Sequence, residues 1–154
     1  MAAATSVAVI GSGAAGLATA RAFAKAFASA GPLRLDVYEQ GGSIGGVWDY
    51  AAHVKTKPMY NGLRTNLPKE LMGFREFPFR TSDDSYVTHN AVQSYLENYA
   101  DAFGLKRYIR FNSVVKKLSF IAEEDPLKYP RLRLDYSSEG GTKVRCSESQ
   151  RTSQ

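Results

Sequence analysis

The stretch Val7-Ala8-Val9-Ile10-Gly11-Ser12-Gly13-Ala14-Ala15-Gly16-Leu17 decides the fold. Four apolar residues run without a break into three glycines, and an unbroken apolar run reads as a parallel strand buried on both faces. Gly11, Gly13 and Gly16 stand at G-x-G-x-x-G spacing, where such a strand turns into a helix. Each glycine has a physical task. Gly11 permits the tight turn, Gly13 lacks the Cβ that would hold a pyrophosphate off the backbone, and Gly16 lets the helix pack close to the strand. The helix start then offers unpaired N–H groups and the positive end of its dipole to phosphates.

The residues that follow keep the pattern. Ala14 to Ala28 holds six further Ala, one Leu and two Phe, with no Pro and no Gly after Gly16, which predicts a helix. Gly31-Pro32 stops it. Leu33 to Glu39 alternates as a strand and ends in an acid 23 residues after Gly16, near the expected offset of about 20. A carboxylate there accepts hydrogen bonds from ribose hydroxyls and repels a 2′-phosphate, so FAD or NAD suits this first site better than NADP. The predicted fold class is α/β, a Rossmann-like dinucleotide fold with a parallel sheet.

Residues 40–88 read as a long loop rich in Gly, Pro, Asn and aromatics, and the aromatics argue that it is ordered. Gly41-Gly42-Ser43-Ile44-Gly45-Gly46-Val47-Trp48 opens it. This is either a flexible turn or a segment whose Gly45 and Gly46 backbone approaches the pyrophosphate, with Trp48 covering the cofactor or anchoring the loop. A helix is predicted over His89 to Phe103, capped by Thr88, because Val92, Tyr95, Leu96, Tyr99 and Phe103 build one apolar stripe. Tyr108 to Phe111 and Val114 to Ile121 read as strands. Leu132, Leu134 and Tyr136 alternate with polar residues as the return strand of an antiparallel hairpin. After Gly140-Gly141, only Lys143 to Cys146 is a further strand candidate. The reading is one domain over 1–154: fingerprint 6–39, cofactor loop 40–88, helix and β-hairpin 89–146, polar tail 147–154.

Composition excludes several classes. The chain has 154 residues, 44% of them apolar, so it can build a real core. Its net charge of +5 comes from scattered Lys and Arg, without the clustered face that nucleic acid requires. The single Cys146 excludes an internal disulfide and suits a reducing compartment. No metal-ligand set is expected. No run reaches the roughly 18 apolar residues of a membrane span, and no basic region precedes the first apolar stretch, so a cytoplasmic location is expected.

VAVIGSGAAGL, the acid Glu39, IGGVW at 44–48, LRTNLPKELMGF at 63–74 and EFPF at 76–79 resemble, in that order, the N-terminal part of flavin-containing monooxygenases, above all the non-animal branch. The resemblance runs over residues 6 to about 120. It implies that Gly11, Ser12, Gly13, Ala14, Ala15 and Gly16 hold the FAD pyrophosphate, that Glu39 and Gln40 meet the ribose, and that Gly46, Val47 and Trp48 contact FAD. Thr65, Asn66 and Leu67 match the segment under the isoalloxazine, where Asn66 is the implied catalytic residue. The implied chemistry is reduction of FAD by NADPH, addition of O₂ at C4a, and transfer of one oxygen from the hydroperoxyflavin to a soft N or S nucleophile. By chemistry alone, Asn66 reads equally as a turn residue.

The sequence also departs from that family. It has no second G-x-G-x-x-G to hold NADPH, no F-x-G-x-x-x-H-type signature and no late A-T-G strand. The expectation is therefore an incomplete, truncated chain. Two other readings compete: an FAD-binding protein without turnover, or another two-dinucleotide flavoprotein such as an amine oxidase, against which LRTNLP and EFPF argue.

Overall fold

A computed structural model describes residues 5–50, 59–80, 84–121, 131–138 and 141–146. The first strand, β1 (Thr5–Ile10), leads into α1 (Ala14–Phe27) and then β2 (Leu33–Tyr38). β1 and β2 pair in parallel, Val7 beside Leu35 and Val9 beside Val37. Leu17 and Ala20 of α1 are fully buried, and Ala20 packs with Val9, Leu35 and Val37. That contact needs Gly16. A Cβ on Gly16 would lie 1.9 Å from the Gly11 carbonyl oxygen, so helix and strand touch backbone to backbone.

The long loop is ordered where it is described, by aromatic contacts. A short helix, α2 (Lys69–Met72), leads to Phe74, Phe77 and Phe79. These rings pack on Tyr95, Tyr99 and Phe103 of the next helix, with Phe79 stacked on Tyr95 at 3.8 Å. The Tyr95 hydroxyl accepts from Phe74 N at 2.7 Å and donates to Phe77 O at 2.6 Å. Burial pushes the Tyr99 hydroxyl up to about 12, and the hydrogen bond to Glu76 adds to it.

That helix, α3 (His89–Ala102), begins where expected, with Thr88 Oγ1 accepting from Ala91 N at 3.4 Å. Its stripe of Val92, Tyr95, Leu96 and Tyr99 is buried. Gly104, in the left-handed region at φ 60°, ends it. The strand expected over Tyr108 to Phe111 is only β3 (Ile109–Arg110), because Leu105–Tyr108 is a 3₁₀ turn. β3 pairs in parallel with β2, giving the order β1-β2-β3.

The appended part has one strand more than the expected hairpin. β4 (Val114–Ile121), β5 (Arg131–Ser138) and β6 (Gly141–Cys146) form a three-stranded antiparallel sheet. β6 starts at Gly141, two residues before the sequence pattern suggests, and its φ of 107° there favours glycine. The register of β4 shifts between Val115 and Lys117. A bulge of this kind moves the following side chains to the other face, which is why β4 shows no clean alternation. Arg145 on β6 ties this sheet to the parallel one. It donates to Asp36, to Ser6 Oγ at 2.6 Å and to Tyr38 Oη at 3.3 Å. The polar tail 147–154 lies outside the described residues.

Candidate functional site

The glycine turn and the acid at the end of β2 are joined directly. Ser12 N and Ser12 Oγ both donate to Glu39 Oε2, at 2.7 and 2.8 Å, and Gly41 N donates to Glu39 Oε1 at 2.8 Å. Glu39 is only 6% exposed and Ser12 fully buried. A carboxylate has about four acceptor sites. The chain's own donors take three of them, which leaves one for a ligand hydroxyl. Glu39 is thus a clamp on the turn as well as a candidate ribose acceptor.

The second glycine pair seats on the first. Gly45 N donates to Ser12 O at 3.3 Å, and a Cβ on Gly46 would come within 3.1 Å of Gly13 Cα. The missing side chain of Gly13 in turn faces Gly46 Cα at 3.6 Å. The absence of a Cβ at Gly13 therefore serves this loop contact, a role the fingerprint alone does not reveal. Val47 is exposed, whereas Trp48 packs partly buried against the core of Leu17, Ile44, Leu96 and Tyr99. Trp48 is the loop's anchor. Asp49 fixes the same segment, accepting from Ser43 Oγ at 2.6 Å and from Gln93 Nε2 at 3.4 Å.

A cleft of about 420 Å³ lies along this assembly. Gly11, Gly13, Glu39, Gln40, Gly46 and Val47 line it, all of them expected. Ser12, Ala14, Ala15 and Gly16 stand behind that surface, in the turn and the first turn of α1. α1 has no side-chain cap at Gly13 and no acid in its first turn, so its dipole and N–H groups are free to meet an anion. Ser113, Val114 and Val115 also line the cleft, beside Tyr38, and no local pattern marks them as site residues. They arrive through long-range pairing, with Ser113 N donating to Glu39 O at 2.8 Å.

Thr65, Asn66 and Leu67 do not line this cleft. Thr65 is buried: its N–H donates to Val87 O at 2.9 Å, and its Oγ1 accepts from Val87 N at 3.2 Å. Asn66 and Leu67 are exposed. Among the described residues no cluster of three or more metal-binding side chains occurs, and no helix is long and apolar enough to cross a membrane.

Comparison with known proteins gives one consistent result. A family model described as flavin-binding monooxygenase-like matches residues 4–125. Flavin-containing monooxygenase FMO GS-OX-like 4 of Arabidopsis thaliana is 35% identical over 144 residues, covering 80% of this chain and 31% of that protein. FMO GS-OX-like 11 of the same plant is 36% identical, and there the match covers 83% of the relative. Among solved structures, S-allyl-L-cysteine S-oxygenase from Allium sativum superposes with a TM-score of 0.74 at 28% identity, over 94% of this chain and 35% of that one. An oxidized steroid monooxygenase bound to NADP gives 0.67 at 25% identity, over 94% of this chain and 25% of that one. The chain thus spans about a third or less of most of these relatives, and most of the length of one.

Proposed function

This chain belongs to the flavin-binding monooxygenase-like family, and from that premise we propose that its residues form the FAD-binding part of an NADPH-dependent monooxygenase acting on soft nitrogen or sulfur nucleophiles. The observation that carries the reading is the Gly13–Gly46 contact beneath the uncapped start of α1, with the buried Glu39 carboxylate at the other side of the same cleft. Those features fit a dinucleotide: N–H groups and a helix dipole for the pyrophosphate, and one free acceptor site for a ribose hydroxyl.

In this reading Gly11 to Gly16 hold the pyrophosphate, Glu39 and Gln40 meet the ribose, and Ser113 to Val115 wall the adenosine end. Gly46 and Val47 close the cleft, and Trp48 holds them in place from the core. When bound, FAD supplies the hard chemistry: electrons taken from NADPH and one atom of O₂ passed to the nucleophile. Thr65 to Leu67 flank the flavin ring, and the neutral Asn66 amide can donate and accept there without adding charge. The names of the relatives, one of them an S-oxygenase, support the choice of sulfur.

A binding-only reading of these 154 residues is favoured by their single G-x-G-x-x-G, which FAD occupies. The test is titration of the purified chain with FAD, followed by flavin absorbance and fluorescence, with ADP and riboflavin as competitors. Saturable FAD binding that ADP competes for and riboflavin does not is the expected result, because the cleft recognises pyrophosphate and ribose. Adding NADPH and a thioether to the loaded chain should consume no NADPH. Failure of a folded chain to bind FAD overturns the proposal.

A further inference from the structure

Beside the cleft lies a second hollow of about 270 Å³ with a different chemistry. Its walls include Arg110, Asn112, Ser113, Tyr136, Ser138 and Lys143. We propose that it binds a tetrahedral oxyanion, sulfate or phosphate, either free or as the terminal group of a small molecule. The site goes beyond the FAD reading. It shares only Ser113 with the cleft, and Glu39 does not line it.

The donor set comes first. Arg and Lys side chains only donate, Ser, Asn and Tyr can donate, and no carboxylate is among the described lining residues. An oxyanion, which only accepts, is the complement. The charge count points the same way. The buried carboxylate of Asp36 is shared by three guanidinium groups: Arg110 at 2.8 Å, Arg34 at 3.7 Å, and Arg145. Counted with the buried Glu39, two carboxylates stand against three guanidinium groups, and Lys143 adds a fourth positive charge. The hollow therefore sits in a positive field that concentrates anions.

The sharpest observation is Ser138. Its Oγ is buried and has no hydrogen-bond partner among the described residues. A buried hydroxyl left without a partner costs about 1–3 kcal/mol, so the position is explained if a ligand oxygen completes it. The fold converges these groups from distant segments. The pairing of β5 with β6 sets Ser138 beside Gly141 and Tyr136 beside Lys143. From the other side, Arg110 ends β3, and Asn112, at φ 50°, folds back so that its N–H donates to Gly41 O at 3.0 Å. The volume is worth about nine waters at their liquid share of roughly 30 Å³ each, room for one oxyanion and part of its hydration shell.

The test is calorimetric titration of the full chain with inorganic phosphate at constant ionic strength, repeated with phenyl phosphate. Saturable one-to-one binding is expected, weakened about tenfold by Ser138→Ala and by Lys143→Gln. Lys106→Gln removes an exposed charge elsewhere, paired with Asp101, and should bind as wild type does. Tighter binding of phenyl phosphate assigns the site to a phosphomonoester; tighter binding of inorganic phosphate assigns it to the free ion. FAD titrations of Ser138→Ala and Lys143→Gln should match wild type, which separates this site from the cofactor cleft. Lack of saturable binding, an equal loss in Lys106→Gln, or a parallel loss of FAD affinity overturns the proposal. Lys143 is exposed, so its replacement leaves the fold intact even where Ser138→Ala perturbs it.

Discussion

The two ends of the proposed flavin site are built in opposite ways. Around Glu39 the chain supplies its own partners: Ser12, Gly41 and Ser113 hold the acid and its backbone, and Gly46 rests on Gly13. Around Asn66 the residues Arg64, Thr65 and Lys69 are fastened, to Tyr86, Val87 and Ser85 on the far side of the loop, while Asn66 and Leu67 are exposed. The first region is folded structure that a ligand can use. The second is an exposed tip on a fixed base. A substitution in the first should therefore register in stability before any ligand is added, and one at Asn66 should not.

Gly16→Ala is the largest way to test this contrast. The added Cβ meets a backbone oxygen at 1.9 Å, with no flexible side chain to yield. α1 must then lift from β1 and lose the packing of Leu17 and Ala20. The expected loss exceeds about 4 kcal/mol, the range of exceptional single substitutions, and it should appear in circular dichroism as loss of cooperative thermal unfolding. A variant that unfolds like wild type would show that the strand and helix are not in backbone contact.

Glu39→Gln and Ser12→Ala come next. A hydrogen bond to a charged group contributes about 1.5–3 kcal/mol, and Ser12→Ala deletes one of the three that Glu39 receives. Urea unfolding of the FAD-free protein should show a loss of that size for Ser12→Ala. Glu39→Gln should lose as much or more, because it removes the charge from all three bonds and turns one acceptor into a donor. If both variants keep wild-type stability and lose only FAD affinity, Glu39 is a ligand residue and not a clamp.

The contrast also explains what could be read from the sequence. The turn from β1 into α1, β2 ending at Glu39, and α3 with its Thr88 cap follow from local periodicity and capping, so residues near in sequence carried the signal. Gly11, Gly13 and Glu39 line the cleft for the same reason, whereas Gln40, Gly46 and Val47 are expected there from the family resemblance. The rest depends on pairing across the chain. Ser113 to Val115 enter the site only because Ser113 pairs with Glu39, 74 residues away. The β4 bulge hides the alternation that would mark its faces, and the pattern misses the first two of the six β6 residues because the strand opens on Gly141, a poor strand former. The resemblance places Ser12 among the pyrophosphate contacts; its bonds from N and Oγ to Glu39 are a partnership that no spacing rule contains.

The finest test compares two adjacent residues. Thr65→Ala removes a buried hydroxyl that accepts from Val87 N and leaves that N–H without its side-chain partner. The expected cost is about 1–3 kcal/mol, with Thr65→Ser restoring most of it. Asn66→Ala removes an exposed side chain and should shift stability by no more than about 0.5 kcal/mol, with FAD affinity unchanged. Its effect should appear only in a complete enzyme that oxidises NADPH, as more hydrogen peroxide released per NADPH consumed and less product. The pair separates the base of the segment from its tip. Equal destabilisation by both substitutions would make Asn66 a turn residue, and full coupling in Asn66→Ala would take the oxygen chemistry away from it.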